Sequence, residues 1–74
     1  MKLHRFYSKS LTESSLDIEL DDLQSNHLKR VLRLNESDEV EVFNGTGLYA
    51  NFVIKELNRN NVKVVLNSKI NQSP

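Results

Sequence analysis

The stretch Ser15-Leu16-Asp17-Ile18-Glu19-Leu20-Asp21-Asp22-Leu23-Gln24 changes period in mid-course, and that change sets the architecture. From Leu16 to Leu20 apolar and acidic residues alternate, which puts Leu16, Ile18 and Leu20 on one face and Asp17 and Glu19 on the other. A period of two is that of a half-buried strand. At Asp21 the rule becomes helical. Asp21 and Gln24 stand three apart, as in a capping box, and Leu23, His27, Leu28, Val31 and Leu32 follow at helical spacing. Acids at its start and Lys29, Arg30 and Arg33 at its end suit the helix dipole. The pattern predicts a helix of about ten residues ending near Leu32 to Leu34, with Leu28, Val31 and Leu32 facing the core.

Outward from this junction the chain reads as strands. Leu3 to Tyr7 is a short first strand, and Lys9 to Ser14 a polar loop. Asn35 to Asp38 is a turn by composition, and Glu39 to Phe43 alternates again. Asn44-Gly45 predicts a type I′ hairpin, whose central residues both need positive φ, with Thr46-Gly47 extending the loop. Leu48 to Leu57 is a long strand, Asn58 to Asn61 a second turn, and Val62 to Leu66 a last β-branched strand. Ser68 to Pro74 reads as a polar tail or linker after a domain spanning 1–67. One short helix among five to six strands gives a mainly β fold, a small closed or nearly closed barrel.

Composition narrows the functions. Seventy-four residues, 38% of them hydrophobic, supply one modest core but not the deep cleft of a self-sufficient enzyme. With no cysteine and two histidines, disulfides and thiolate metal sites are excluded. No apolar run approaches the roughly 20 residues of a membrane span, and the basic start is not followed by a signal-peptide core. A soluble cytoplasmic domain is expected. There is no glycine-rich phosphate loop, and no nucleophile–base set or paired acid and base stands out.

Net charge is zero, but its distribution is uneven. Five acids and no base lie between Glu13 and Asp22, whereas Gln24 to Leu34 holds Lys29, Arg30 and Arg33 with no acid. On a helix His27 and Arg30 are three apart, as are Arg30 and Arg33, and Lys29 and Arg33 are four apart, so they form neighbouring pairs. A cationic cluster of this kind suits phosphate oxygens, for which arginine offers a planar pair of donors. The ordinary reading stands beside it: basic residues at a helix C-terminus serve the dipole and solubility, and His27 is a boundary histidine. Phe6, Phe43 and Phe52 read as core. Tyr7 and Tyr49 have faces on which bases can stack, but they read first as partly buried barrel tyrosines.

The segments Arg5-Phe6-Tyr7, Asn26-His27-Leu28-Lys29-Arg30-Val31-Leu32-Arg33-Leu34 and Val42-Phe43-Asn44-Gly45, in this order, resemble the RsmE family of bacterial 16S ribosomal RNA methyltransferases, which modify uridine at N3. The resemblance runs from Met1 to about Leu66. It departs from the family at Asn44, where aspartate is usual, and at Ser37, where glycine is frequent. It implies an N-terminal PUA-like barrel that holds RNA, followed in the parent protein by a SPOUT domain that binds S-adenosylmethionine and dimerises. In this segment no cofactor is expected. The implied partner is 16S ribosomal RNA or the small ribosomal subunit, with no membrane, and the implied RNA contacts are Arg5, His27, Arg30 and Arg33, with Lys29 as neighbour. The alternative is a non-catalytic protein-interaction or dimerisation barrel, in which Asp17, Glu19 and the acids around Asp38 would matter more.

Overall fold

The computed structural model describes residues 3–58 and 61–72. Its elements are β1 (Arg5–Tyr7), β2 (Asp17–Leu20), α1 (Asp22–Asn26), a π-helical turn (His27–Val31), β3 (Glu39–Phe43), β4 (Leu48–Leu57), β5 (Val62–Leu66) and β6 (Asn71–Gln72). The fold is mainly β with one helical element, as expected. The strands form one sheet in the order β1-β3-β4-β5-β2, and β6 pairs with β4. All pairings are antiparallel except β1 on β3, where Arg5, Phe6 and Tyr7 lie beside Glu41, Val42 and Phe43. The sheet is a curled half-barrel: β1 and β2 are its two ends, and among the described residues they are not paired with each other.

Alternation fixes which side chains are enclosed. Ile18 and Leu20 of β2, Val40 and Val42 of β3, and Ala50, Phe52 and Ile54 of β4 all point inward and are buried. Phe6 and Leu11 close one end of this core, and Leu28 caps it from the helix. Phe43 takes the opposite parity to Val42. It therefore lies half-buried on the outer face and not in the core expected for it. Burial of a residue such as Phe52 or Leu28 contributes about 1.5–3 kcal/mol each.

Two local expectations change. The β3–β4 connection is not a two-residue type I′ turn, because Asn44 does not have positive φ; Gly45 (φ 81°) and Gly47 (φ 108°) do. Asn44 instead organises the loop: its Oδ1 accepts from the Thr46 and Leu48 amides at 2.9 and 3.2 Å. Residues 70–72, read as part of a tail, return to the sheet. Ile70 packs against the core, and Asn71 and Gln72 pair with Tyr49 and Leu48. Of the turn expected at Asn58 to Asn61, residues 59 and 60 lie outside the described residues, as do 73 and 74 of the expected linker.

The helix differs on its inner face. Leu23 and Val31 were expected to face the core or follow its stripe, yet they are 78% and 67% exposed. Ser25 takes the inward place. It lies about 200° around an α-helix from Leu23, so only one of the two can point in. Its hydroxyl donates to the Leu20 carbonyl at 3.1 Å and accepts from the Val62 amide at 3.0 Å. A leucine there could satisfy neither group.

Candidate nucleic-acid interface

The helical segment begins as the sequence indicates: the Asp21 carboxylate accepts from the Gln24 amide at 2.8 Å and caps α1. After Asn26 the turn widens. The Leu32 amide reaches back to the His27 carbonyl at 3.0 Å, and the Leu34 amide to the Leu28 carbonyl at 3.1 Å. The first of these bonds spans five residues where an α-helical turn spans four, a local departure often found at functional sites, and the second spans six across the end of the segment. The segment stops at Arg33, whose φ of 53° is left-handed, the conformation usually given to glycine after a helix.

This geometry redistributes the five candidate residues. His27 and Arg30 are exposed and share a shallow hollow of about 320 Å³ with Leu23, Asn26 and Val31. Arg33 is exposed but lies beyond the helical turn, so it is not a simple three-apart neighbour of Arg30. Lys29 is half-buried, and its ammonium donates to the Asn58 carbonyl at the β4–β5 turn. Arg5 belongs to a different element, β1. Its guanidinium pairs with Glu41 and lies over the Phe43 ring, 4.5 Å from the centroid. The structure thus brings His27 and Arg30 together, places Arg33 just past them, and ties Lys29 and Arg5 to other parts of the fold.

Among the described residues, Arg30 and Arg33 form no ion pair with the protein's own carboxylates; the pairs present are Arg5–Glu41 and Lys63–Asp17. Their charges remain open to an anionic ligand. Leu23, Asn26 and Val31 complete the hollow and were not read as site residues. Their exposure depends on Ser25 facing inward, which hydrophobic periodicity does not reveal. Ser37, at the position where a glycine is frequent in the resembling family, has φ 75° and carries the turn that leads into β3. Among the described residues no group of acids and histidines is placed to hold a metal ion, and no helix is long and apolar enough to cross a membrane.

The family described as RNA methyltransferase PUA domain matches residues 20–67, from the end of β2 through the helix, β3, β4 and β5. The chain belongs to this family. The PUA domain also has close likenesses among solved structures. A putative methyltransferase from Legionella pneumophila, in complex with S-adenosylmethionine, superimposes with a TM-score of 0.86 at 19% identity, covering 99% of this chain and 30% of that one. Ribosomal RNA small subunit methyltransferase E from Neisseria gonorrhoeae, bound to S-adenosylmethionine, gives 0.80 at 20% identity, over 95% and 29% of the two chains. A probable rRNA-methyltransferase from Porphyromonas gingivalis gives 0.82 at 26% identity, over 97% and 29%. At these identities the first two likenesses carry the fold alone. The PUA domain spans about 30% of the length of these structures. No sequence among curated proteins matches it. The family match and the likeness to the 26% identical rRNA-methyltransferase agree with the RsmE resemblance of the three sequence segments.

Proposed function

We propose that this domain holds ribosomal RNA for a methyltransferase of which it forms the RNA-binding part. In the parent, a SPOUT domain would transfer a methyl group from S-adenosylmethionine to N3 of a uridine in 16S ribosomal RNA, acting in the cytoplasm as a homodimer. The methyl donor would be held outside this segment. One observation carries the reading: an RNA methyltransferase PUA family match spans the helical segment and Arg33 just past it, and Arg30 and Arg33 are exposed and form no ion pair among the described residues. His27 would add a ring N–H donor beside Arg30. Arg5 and Lys29, held by Glu41 and Asn58, could join with their other N–H donors. Phosphate contacts of this sort fix the position of an RNA without reading its sequence, as a domain that presents a target to a catalytic partner requires.

The test is titration of the domain with 16S ribosomal RNA fragments at several salt concentrations. Arg30→Ala combined with Arg33→Gly should weaken binding at low salt and flatten the dependence of log K on log salt by roughly 1.4, about 0.7 for each lost single-strand phosphate contact. Unchanged affinity and slope in a folded double variant would refute this face.

A protein-docking reading has one specific observation in its favour, the exposure of Leu23 and Val31 beside His27. Under that reading Leu23→Ser with Val31→Ser abolishes capture of a protein partner, and the arginine pair leaves RNA binding unaltered.

A further inference from the structure

The open seam of the half-barrel, between β1 and β2, is a cleft of about 340 Å³ lined by Tyr7, Ser8, Lys9, Ser10, Glu19 and Asp21. It lies within the range of small-molecule clefts, roughly 300–1,000 Å³. Two strand ends that do not meet leave this space, so it is a product of the topology. We propose that it takes one unpaired nucleobase of the bound RNA, stacked on Tyr7. This inference rests on the RNA-holding reading above and adds a specific subsite to it.

Tyr7 is the most exposed aromatic side chain of the described residues, at 43%. Its ring is nevertheless held in place. Phe43 meets it edge to face, with centroids 5.8 Å apart and planes at 65°. On another side Gly45 approaches so closely that a Cβ there would lie 3.2 Å from the Tyr7 ring. A firmly braced aromatic with a free face is what base stacking needs, because little side-chain freedom is lost when the base arrives.

The rest of the cleft selects among bases. Lys9 lies two residues along from Tyr7 and supplies a cation for the phosphate of the stacked nucleotide. Across the cleft, Glu19 gives one carboxylate oxygen to Asn61 and Asp21 gives one to the Gln24 amide. The second oxygen of each is not engaged among the described residues. Carboxylates accept from N–H edges, so the cleft favours a base rich in donors. Guanine presents N1–H and the N2 amino group side by side and can serve one carboxylate with both. Uracil offers a single N–H flanked by carbonyl oxygens that the carboxylates repel. The expected order is guanine above uracil.

The experiment uses the whole 74-residue chain and two labelled hexaribonucleotides, UUGUUU and UUUUUU, read by fluorescence anisotropy at low salt. The wild type should bind the guanine-containing oligonucleotide more tightly. Tyr7→Leu should weaken that binding roughly five- to hundredfold, while Tyr7→Phe keeps it. Glu19→Gln should lower the affinity for the guanine-containing oligonucleotide and raise that for the all-uridine one, which removes the preference. Chemical-shift mapping of the wild type with guanosine monophosphate needs no variant, and perturbations should centre on Tyr7, Lys9 and Glu19. Perturbations confined to other surfaces, or a folded Tyr7→Leu that binds both oligonucleotides as the wild type does, overturn the base pocket. If Arg30→Ala with Arg33→Gly still weakens both, the RNA-holding reading survives that result. A wild type that binds neither oligonucleotide nor 16S fragments overturns both.

Discussion

Replacing Ser25 with alanine removes one oxygen atom and leaves two backbone groups without their partner. Ser25 is 1% exposed, and its hydroxyl joins the carbonyl at the end of β2 to the amide at the start of β5. With no water able to enter at that depth, the Val62 amide bears a desolvation penalty of about 1–3 kcal/mol, and the Leu20 carbonyl, with its second lone pair, somewhat less. A loss of about 2–3 kcal/mol follows. For 74 residues the whole stability is of the order of 4–11 kcal/mol. An unfolding entropy of about 0.16 kcal/mol/K converts the loss into a fall in Tm of about 15 °C. Thermal melts followed by circular dichroism measure it directly. Ser14→Ala, an exposed serine in the β1–β2 loop, is the control and should not move Tm. A fall of less than about 4 °C for Ser25→Ala would mean that the hydroxyl does not tie helix to sheet, and the explanation for the outward Leu23 would go with it.

Other substitutions separate folding from binding. Asp21→Ala removes the cap on α1 and should cost about 1 kcal/mol, seen as a Tm lower by about 6 °C, whereas Asp21→Asn keeps most of the cap. Gly45→Ala imposes a side chain at φ 81° and 3.2 Å from the Tyr7 ring. It should lower stability by about 1–2 kcal/mol in urea unfolding. Arg33→Gly relieves a left-handed non-glycine residue and should stabilise by about 0.5–1 kcal/mol while weakening RNA binding, so the two assays move in opposite directions. Leu23→Ser and Val31→Ser should each leave stability within about 0.5 kcal/mol, since neither side chain is enclosed.

The strands were legible because each enclosed position recurs at a spacing of two: Ile18 with Leu20, Val40 with Val42, Phe52 with Ile54. The helix start was legible for a similar reason, as a capping aspartate acts on an amide three residues away in sequence. What escaped was set by contacts between distant residues. Nothing in the run from Leu23 to Val31 announces that a serine would be drawn inward by carbonyl and amide groups of two strands, one of them 37 positions away. Nor does it announce the extra residue in the turn after His27. The cationic cluster was legible as charge but not as shape. Arg33 is itself a left-handed residue past the helical turn, Lys29 is drawn to the β4–β5 turn, and Arg5 is held by Glu41, its cross-strand neighbour. Asn44 misled as a hairpin residue because its side chain, not its φ, makes the turn.

The parallel register of β1 has a bearing on how the molecule is assembled. Arg5 finds its neighbour 36 positions later, at Glu41, so the first strand to be synthesised cannot settle until the third is complete. The β3–β4 and β4–β5 hairpins close over short loops and can form early, whereas β1 must wait for a long loop to be drawn in. On a ribosome, the order of emergence and the order of docking are therefore inverted at this edge. A nascent chain halted before Phe43 would carry Tyr7 with no Phe43 ring for it to rest on.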